Sequence, residues 1–195
     1  MIVLGLTGGI GMGKSTAADA FRRARIPVFD ADAAVHRLQA QGGRAVRAIE
    51  AAFPGTVRDG AVDRMALRQA VLGKPDSLAL LEGILHPMVE AEERAFVARS
   101  RRRGNRAVVL DIPLLFETSG DARVDRVVVV SAPRSVQMQR VRGRRRMNAA
   151  DIAAVIARQM PDIEKRRRAD VVVHTGLSRH HSLRTLRRLI RGIYA

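Results

Sequence analysis

The chain has 195 residues, 47% of them hydrophobic, and its 35 Lys and Arg against 19 Asp and Glu give a net charge of +16 at pH 7. That length and apolar content support a sizeable core and suit one domain with insertions. Cysteine is absent, which excludes disulfides and thiolate metal sites. No apolar run reaches the roughly 18 residues of a membrane helix, so a cytoplasmic protein with no membrane partner is expected.

The positive charge alone suggests a nucleic-acid partner, but the composition argues otherwise. Only Lys14, Lys74 and Lys165 are lysines among the 35 basic residues, a skew toward arginine that resembles codon bias more than a built surface. Aromatic residues make up 3%, with no Trp and one Tyr, so platforms for stacking bases are scarce. The runs Arg101-Arg102-Arg103, Arg144-Arg145-Arg146 and Arg166-Arg167-Arg168 are dispersed and read mainly as solvated faces. No nucleic-acid partner is expected. A positive field would still speed capture of a polyanionic substrate.

In chain order, Ile2-Val3-Leu4-Gly5-Leu6 reads as a buried parallel strand. It runs into Gly8-Gly9-Ile10-Gly11-Met12-Gly13-Lys14-Ser15-Thr16, which satisfies Gly-x4-Gly-Lys-Ser/Thr. The glycines allow the backbone to turn successive N–H groups of Gly9, Gly11, Met12, Gly13, Lys14, Ser15 and Thr16 toward phosphate oxygens. Lys14 supplies a mobile positive charge to the β- and γ-phosphates, and the Ser15 hydroxyl is a Mg²⁺ ligand. Ala17, Ala18, Phe21 and Ala24 then recur at helical spacing, which places the loop at a helix N-terminus, where anions bind.

Pro27-Val28-Phe29-Asp30 predicts a second strand with Asp30-Ala31-Asp32 at its C-terminal end, the ligand-binding edge of open α/β sheets. One acid can cap the next helix while the other serves chemistry. Asp30 fits either role and Asp32 fits the second. About 75 residues follow before the third strand, far more than a crossover needs, so a helical substrate-binding insertion is expected there. Asp63 caps a predicted helix through Leu72, Pro75-Asp76-Ser77 opens another, and His86-Pro87 begins a third that runs to Arg99. On these grounds alone His86 is structural, and His180-His181 reads as surface.

Ala107-Val108-Val109-Leu110-Asp111 is a third strand of Walker B type, whose Asp111 holds Mg²⁺ directly or through water. Asp125 to Val130 and Asp170 to His174 complete five strands, and near-continuous Val/Leu runs predict a parallel sheet covered on both faces. Between these last two strands, Arg140 to Asn148 forms an arginine-bearing lid able to exclude water and neutralise a transferring phosphoryl group, with Arg140 and Arg144 on one helical face. An amphipathic helix with Leu183, Leu186, Leu189, Ile190 and Ile193 ends the chain. No Asn-Lys-x-Asp guanine-reading motif occurs, which argues against a GTPase.

The P-loop followed by Asp30-Ala31-Asp32, Leu85-His86-Pro87, Pro113-Leu114-Leu115-Phe116-Glu117, Arg140 with Arg144, and Gln159 resembles the dephospho-CoA kinase family along nearly the whole chain. The resemblance implies a P-loop NTPase-type three-layer α/β fold with five parallel strands. It implies one domain made of a core (about 1–31, 105–139 and 160–195), a helical CoA-binding insertion (about 32–104) and a lid (about 140–159). It implies transfer of the ATP γ-phosphoryl, with Mg²⁺, to the ribose 3′-hydroxyl of dephospho-CoA by a monomer. Asp32 would be the general base, Lys14 the phosphate clamp and Arg140 the stabiliser of the transferring group. Asp32, His86 and Leu114 would meet the substrate, while Arg144, Thr175 and Gly176 would meet ATP.

Two positions depart from the family pattern. Met12 stands where Ser is common, at a position that contributes mainly its backbone N–H. His174-Thr175-Gly176 replaces the common Asp-Asn-Gly near the adenine. The competing readings are another P-loop kinase of nucleotides or nucleosides, a nucleic-acid-binding ATPase and a nucleotide-binding domain without activity. An acceptor screen separates them.

Overall fold

The computed structural model describes residues 1–143, 156–157 and 159–194. Arg144 and the rest of the expected lid at 145–155 and 158 lie outside the described residues. Strands run in chain order as β1 (Ile2–Thr7), β2 (Val28–Asp30), β3 (Val57–Arg58), β4 (Ala61–Val62), β5 (Ala107–Asp111), β6 (Arg126–Ser131) and β7 (Val171–His174). The helices are α1 (Lys14–Arg23), α2 (Ala31–Gln39), α3 (Val46–Ala52), α4 (Arg64–Val71), α5 (Pro75–Arg102) and α6 (Arg134–Arg142). Two later helices span Asp162–Arg167 and Arg179–Tyr194. Among the described residues, no helix is long and apolar enough to cross a membrane.

The chain divides into two compact units, residues 1–29 with 97–195, and Asp30–Phe96. The first is built on a parallel sheet in the order β2-β5-β1-β6-β7. Val108, Val109, Val128, Val129 and Val130 are fully buried, as their unbroken β-branched runs require. Ala17, Ala18 and Phe21 of α1 share a core cluster with Leu186 of the C-terminal helix and with Leu4, Leu6 and Val130 of the sheet. The fully buried Phe21 alone contributes about 2 kcal/mol of hydrophobic stabilisation. Asp125 and Asp170, placed in strands by the sequence pattern, instead immediately precede β6 and β7. Their carboxylates accept the N–H groups of Val3 and Val127, each at 2.7 Å, tying each strand start to its neighbour.

β1 occupies the centre of the sheet; the chain leaves it toward β2 on one side, and the later connection from β5 crosses it to reach β6 on the other. Such a reversal opens a crevice at the C-terminal edge. The register pairs Leu6 with Asp111, Thr7 with Val129 and Ser131 with His174, so the chemistry-bearing ends of β1, β5, β6 and β7 share that edge.

The second unit has its own core of Leu38, Ile49, Phe53, Val62, Leu67, Leu81 and Leu85. Asp63 caps α4 as expected, accepting the N–H groups of Met65 at 3.0 Å and Ala66 at 3.1 Å. The unit differs from the sequence reading in two respects. It is not wholly helical: β3 and β4 pair antiparallel across Asp59-Gly60, where φ is 49° and 73°. Two successive left-handed residues are what a tight hairpin demands, and Asp-Gly supplies them.

The helices expected at Pro75 and at His86-Pro87 are also one continuous helix, α5, with Pro87 inside it. An internal proline costs about 3 kcal/mol. Burial of Leu81 and Leu85 before it, with Met88 and Val89 packed on the same core after it, offsets that cost.

Candidate active site

β1 delivers the chain into the glycine loop and α1 receives it. Gly11 (φ 75°) and Gly13 (φ 92°) adopt left-handed backbone, and Gly13 stands at the N-terminus of α1 without any capping side chain. The positive end of α1 thus carries no side-chain cap that would compete with an anion. A Cβ at Gly11 would lie 2.6 Å from Val141 Cγ2, so α6 packs directly against the loop and only glycine fits.

The Lys14 ammonium lies 2.6 Å from Asp111 Oδ1, at the end of β5. The P-loop lysine and the acid at the end of β5 therefore meet, a contact that neither residue's sequence context announces. Ser15 is exposed at the start of α1. A hydroxyl and a carboxylate are hard oxygen donors of the kind Mg²⁺ takes when substrate phosphates complete its shell. Among the described residues, no group of three or more His, Cys, Asp or Glu forms a self-sufficient metal site. The donor set therefore fits a magnesium ion that arrives with a nucleotide.

Arg140 reaches back from α6. Its guanidinium donates to the Thr175 carbonyl at 2.7 Å, to Thr175 Oγ1 at 3.1 Å and to the Gly11 carbonyl at 3.4 Å. The Thr175 hydroxyl in turn donates to the Met12 carbonyl at 2.6 Å. Gly176 is closely packed, since a Cβ there would stand 2.2 Å from Pro133 Cδ. Gly11, Gly13, Thr16, Arg140, Thr175 and Leu186 line a cleft of about 700 Å³, within the range of small-molecule sites. Met12 contributes more than its N–H: its side chain is buried, and the Ala132 N–H donates to Sδ at 3.0 Å.

The other expected residues are placed as follows. Asp30 takes the capping role left open by the sequence, accepting the Ala33 N–H at 2.9 Å, while Asp32 is exposed on the first turn of α2. His86 is exposed in the middle of α5. Both belong to the second unit. Leu114 is half-buried in the loop after β5, beside the buried Leu115 and Phe116. The first unit thus brings together Gly9, Gly11, Met12, Gly13, Lys14, Ser15, Thr16, Asp111, Arg140, Thr175 and Gly176.

Two residues of this region escaped sequence reasoning. Gln137, buried on α6, donates from Nε2 to the Ile10 carbonyl at 2.9 Å. It stands three residues before Arg140 on the same helical face, a signal that was available. Lys165 is 1% exposed; its ammonium lies 2.9 Å from Glu117 Oε1, which also accepts the Met160 N–H at 2.7 Å. One of only three lysines in an arginine-rich chain was the clue to it. The neighbouring Arg166, Arg167 and Arg168 are exposed, as a solvated run should be, although Arg168 also stacks over Phe116 at 4.5 Å.

A central strand running into a P-loop, a lysine on a strand-end carboxylate and an arginine-lined cleft beside the loop define an α/β protein of the P-loop kinase class. The family model described as dephospho-CoA kinase matches residues 2–179. The chain belongs to that family, and its enzyme class is ATP-dependent phosphotransferase. The dephospho-CoA kinase of Mesorhizobium japonicum is 57% identical over 176 residues, 90% of this chain and 88% of the relative. That of Brucella melitensis is 50% identical over 193 residues, covering 99% and 96% of the two chains. A solved structure from Thermus thermophilus matches with a TM-score of 0.86 at 32% identity, covering 100% of this chain and 98% of that one. The dephospho-CoA kinase from Campylobacter jejuni shares the fold, with a TM-score of 0.74 at 21% identity and coverage of 98% and 96%.

Proposed function

We propose that this chain transfers the γ-phosphoryl group of ATP to the ribose 3′-hydroxyl of dephospho-CoA, giving CoA and ADP. Family membership supports the substrates. The observation that carries the chemistry is the Lys14–Asp111 pair beneath a glycine loop whose carbonyls are held from outside.

The chain's own residues divide the work. The amides of Gly9, Gly11, Gly13, Lys14 and Ser15 hold the phosphates, Met12 and Thr16 complete the ATP-binding loop, and Lys14 places its charge on the β- and γ-groups. Ser15 and Asp111 would hold Mg²⁺, which neutralises phosphate charge when it is bound. Arg140, Arg144, Thr175 and Gly176 bind the rest of ATP, and Arg140 steadies the transferring group. His86 and Leu114 shape the acceptor site. Asp32 accepts the 3′-hydroxyl proton as the new oxygen–phosphorus bond forms and the bond to the ADP oxygen breaks. The working unit is a cytoplasmic monomer without a nucleic-acid partner, and residues 32–104 and 140–159 serve as substrate-binding insertion and lid.

ADP release is measured with Mg-ATP and dephospho-CoA, AMP, adenosine or no acceptor, and the product phosphate is located by NMR. Phosphorylation at the 3′-hydroxyl of dephospho-CoA alone is the expected result. Preference for AMP or adenosine would replace this reading with that of a nucleotide or nucleoside kinase.

A further inference from the structure

Three successive carbonyls of the phosphate loop accept hydrogen bonds from side chains outside it. Gln137 Nε2 donates to the Ile10 carbonyl at 2.9 Å, Arg140 to that of Gly11 at 3.4 Å, and the Thr175 hydroxyl to that of Met12 at 2.6 Å. A trans peptide points its C=O and N–H in opposite directions. A donor fixed on one carbonyl therefore fixes the direction of the next residue's amide. Gln137 in this way sets the Gly11 N–H and Thr175 sets the Gly13 N–H. The amide between them is already committed, because the Met12 N–H donates to the Gly9 carbonyl at 3.1 Å.

We propose that Gln137 is a positioning residue for the polyphosphate, acting with Thr175. The two hold the Ile10 and Met12 carbonyls outward, so that the Gly11 and Gly13 amides are aimed at the anion before nucleotide binds. Gln137 is suited to this work. It is 7% exposed, and its own N–H is bonded to the Pro133 carbonyl at 2.9 Å. Gln159 holds the preceding peptide, its Oε1 accepting the Ile10 N–H at 3.1 Å. The two successive peptides that flank Ile10 are thereby pinned. Left-handed glycines give the loop freedom to rotate its peptides, and an unbound loop without these donors would have to order them when the anion arrives.

The inference rests on the loop binding a polyphosphate, which Mg-ADP binding by the unmodified chain establishes without any acceptor. The test measures Mg-ADP and adenosine affinities by calorimetry, together with KM for ATP and for dephospho-CoA. The variants are Gln137→Met, which keeps the side-chain length but removes the donor, Thr175→Val and Thr175→Ser. Gln137→Met and Thr175→Val are each expected to weaken Mg-ADP and raise KM for ATP about tenfold, the scale of one unsatisfied carbonyl. For Gln137→Met, adenosine affinity and KM for dephospho-CoA should stay within about twofold. Thr175→Ser, which keeps the hydroxyl, should recover most of what Thr175→Val loses.

Equal weakening of adenosine and Mg-ADP by Gln137→Met would mark that side chain as general packing and overturn the proposal. So would unchanged Mg-ADP binding. Should Gln137→Met fail to fold, the Thr175 pair tests the same device from the other carbonyl. An unmodified chain that does not bind Mg-ADP would instead defeat the kinase reading.

Discussion

Lys14 and Asp111 stand 97 positions apart in the chain and 2.6 Å apart in space, ammonium against carboxylate. The Asp111 side chain is 5% exposed and that of Lys14 is 19% exposed. Removing only the lysine leaves a nearly buried charge without this partner. Lys14→Met should destabilise the fold by about 3 kcal/mol and abolish nucleotide binding and turnover. The double variant Lys14→Met/Asp111→Asn should recover most of the stability and none of the activity. Urea titration beside a kinase assay measures both. A double variant as unstable as the single one would show that the pair does not set the loss.

Asp32 lies on the first turn of α2 and is exposed, with Asp30 before it serving as cap. Asp32→Asn keeps the size of the side chain and removes its ability to take a proton. It should lower kcat by roughly 10²–10⁴ with little change in ATP affinity. Near-normal turnover would remove Asp32 from the role of base.

Gly176 leaves no room for a side chain, because a Cβ there would stand 2.2 Å from the Pro133 ring. Pro133 precedes α6, which carries Gln137 and Arg140, so a displacement there reaches the cleft beside the glycine loop. Gly176→Ala should cost about 1–3 kcal/mol by overpacking and raise KM for ATP. An unchanged melting temperature would refute the tight packing.

The Ala66 N–H, with help from Met65 and the nearby Arg58 guanidinium, holds the Asp63 carboxyl below its usual 3.8. A depressed folded-state pKa gives stability that is fully present above the unfolded value and is lost as pH falls through the folded one. The stability of the unmodified chain should therefore fall below about pH 4 more steeply than that of Asp63→Asn, which still offers a capping oxygen. Chemical denaturation across that range measures the difference. A constant gap between the two proteins at every pH would exclude this linkage.

The elements and the phosphate loop were legible in the sequence because their causes are local. Valine runs dictate buried strands, a glycine-rich turn before Lys14 dictates an anion site, and Asp63 announces a helix start. The Asp59-Gly60 hairpin is equally local, but its strands are two residues each, too short to interrupt the helical pattern around them. Pro87 misled for a different reason: it reports a local backbone cost, whereas the packing of Leu81, Leu85, Met88 and Val89 decides whether the helix continues.

Which polar side chain serves which backbone group was decided only by the tertiary structure. Gln137 finds Ile10 across 127 positions and Thr175 finds Met12 across 163. Nothing near Gln137 in the chain signals its partner. Placing β1 between β5 and β6 brings the loop against α6, and there a buried amide side chain must find a partner or lose its hydrogen bonds. Local chemistry determined what this protein can bind, and strand order determined which residues hold the binding loop in place.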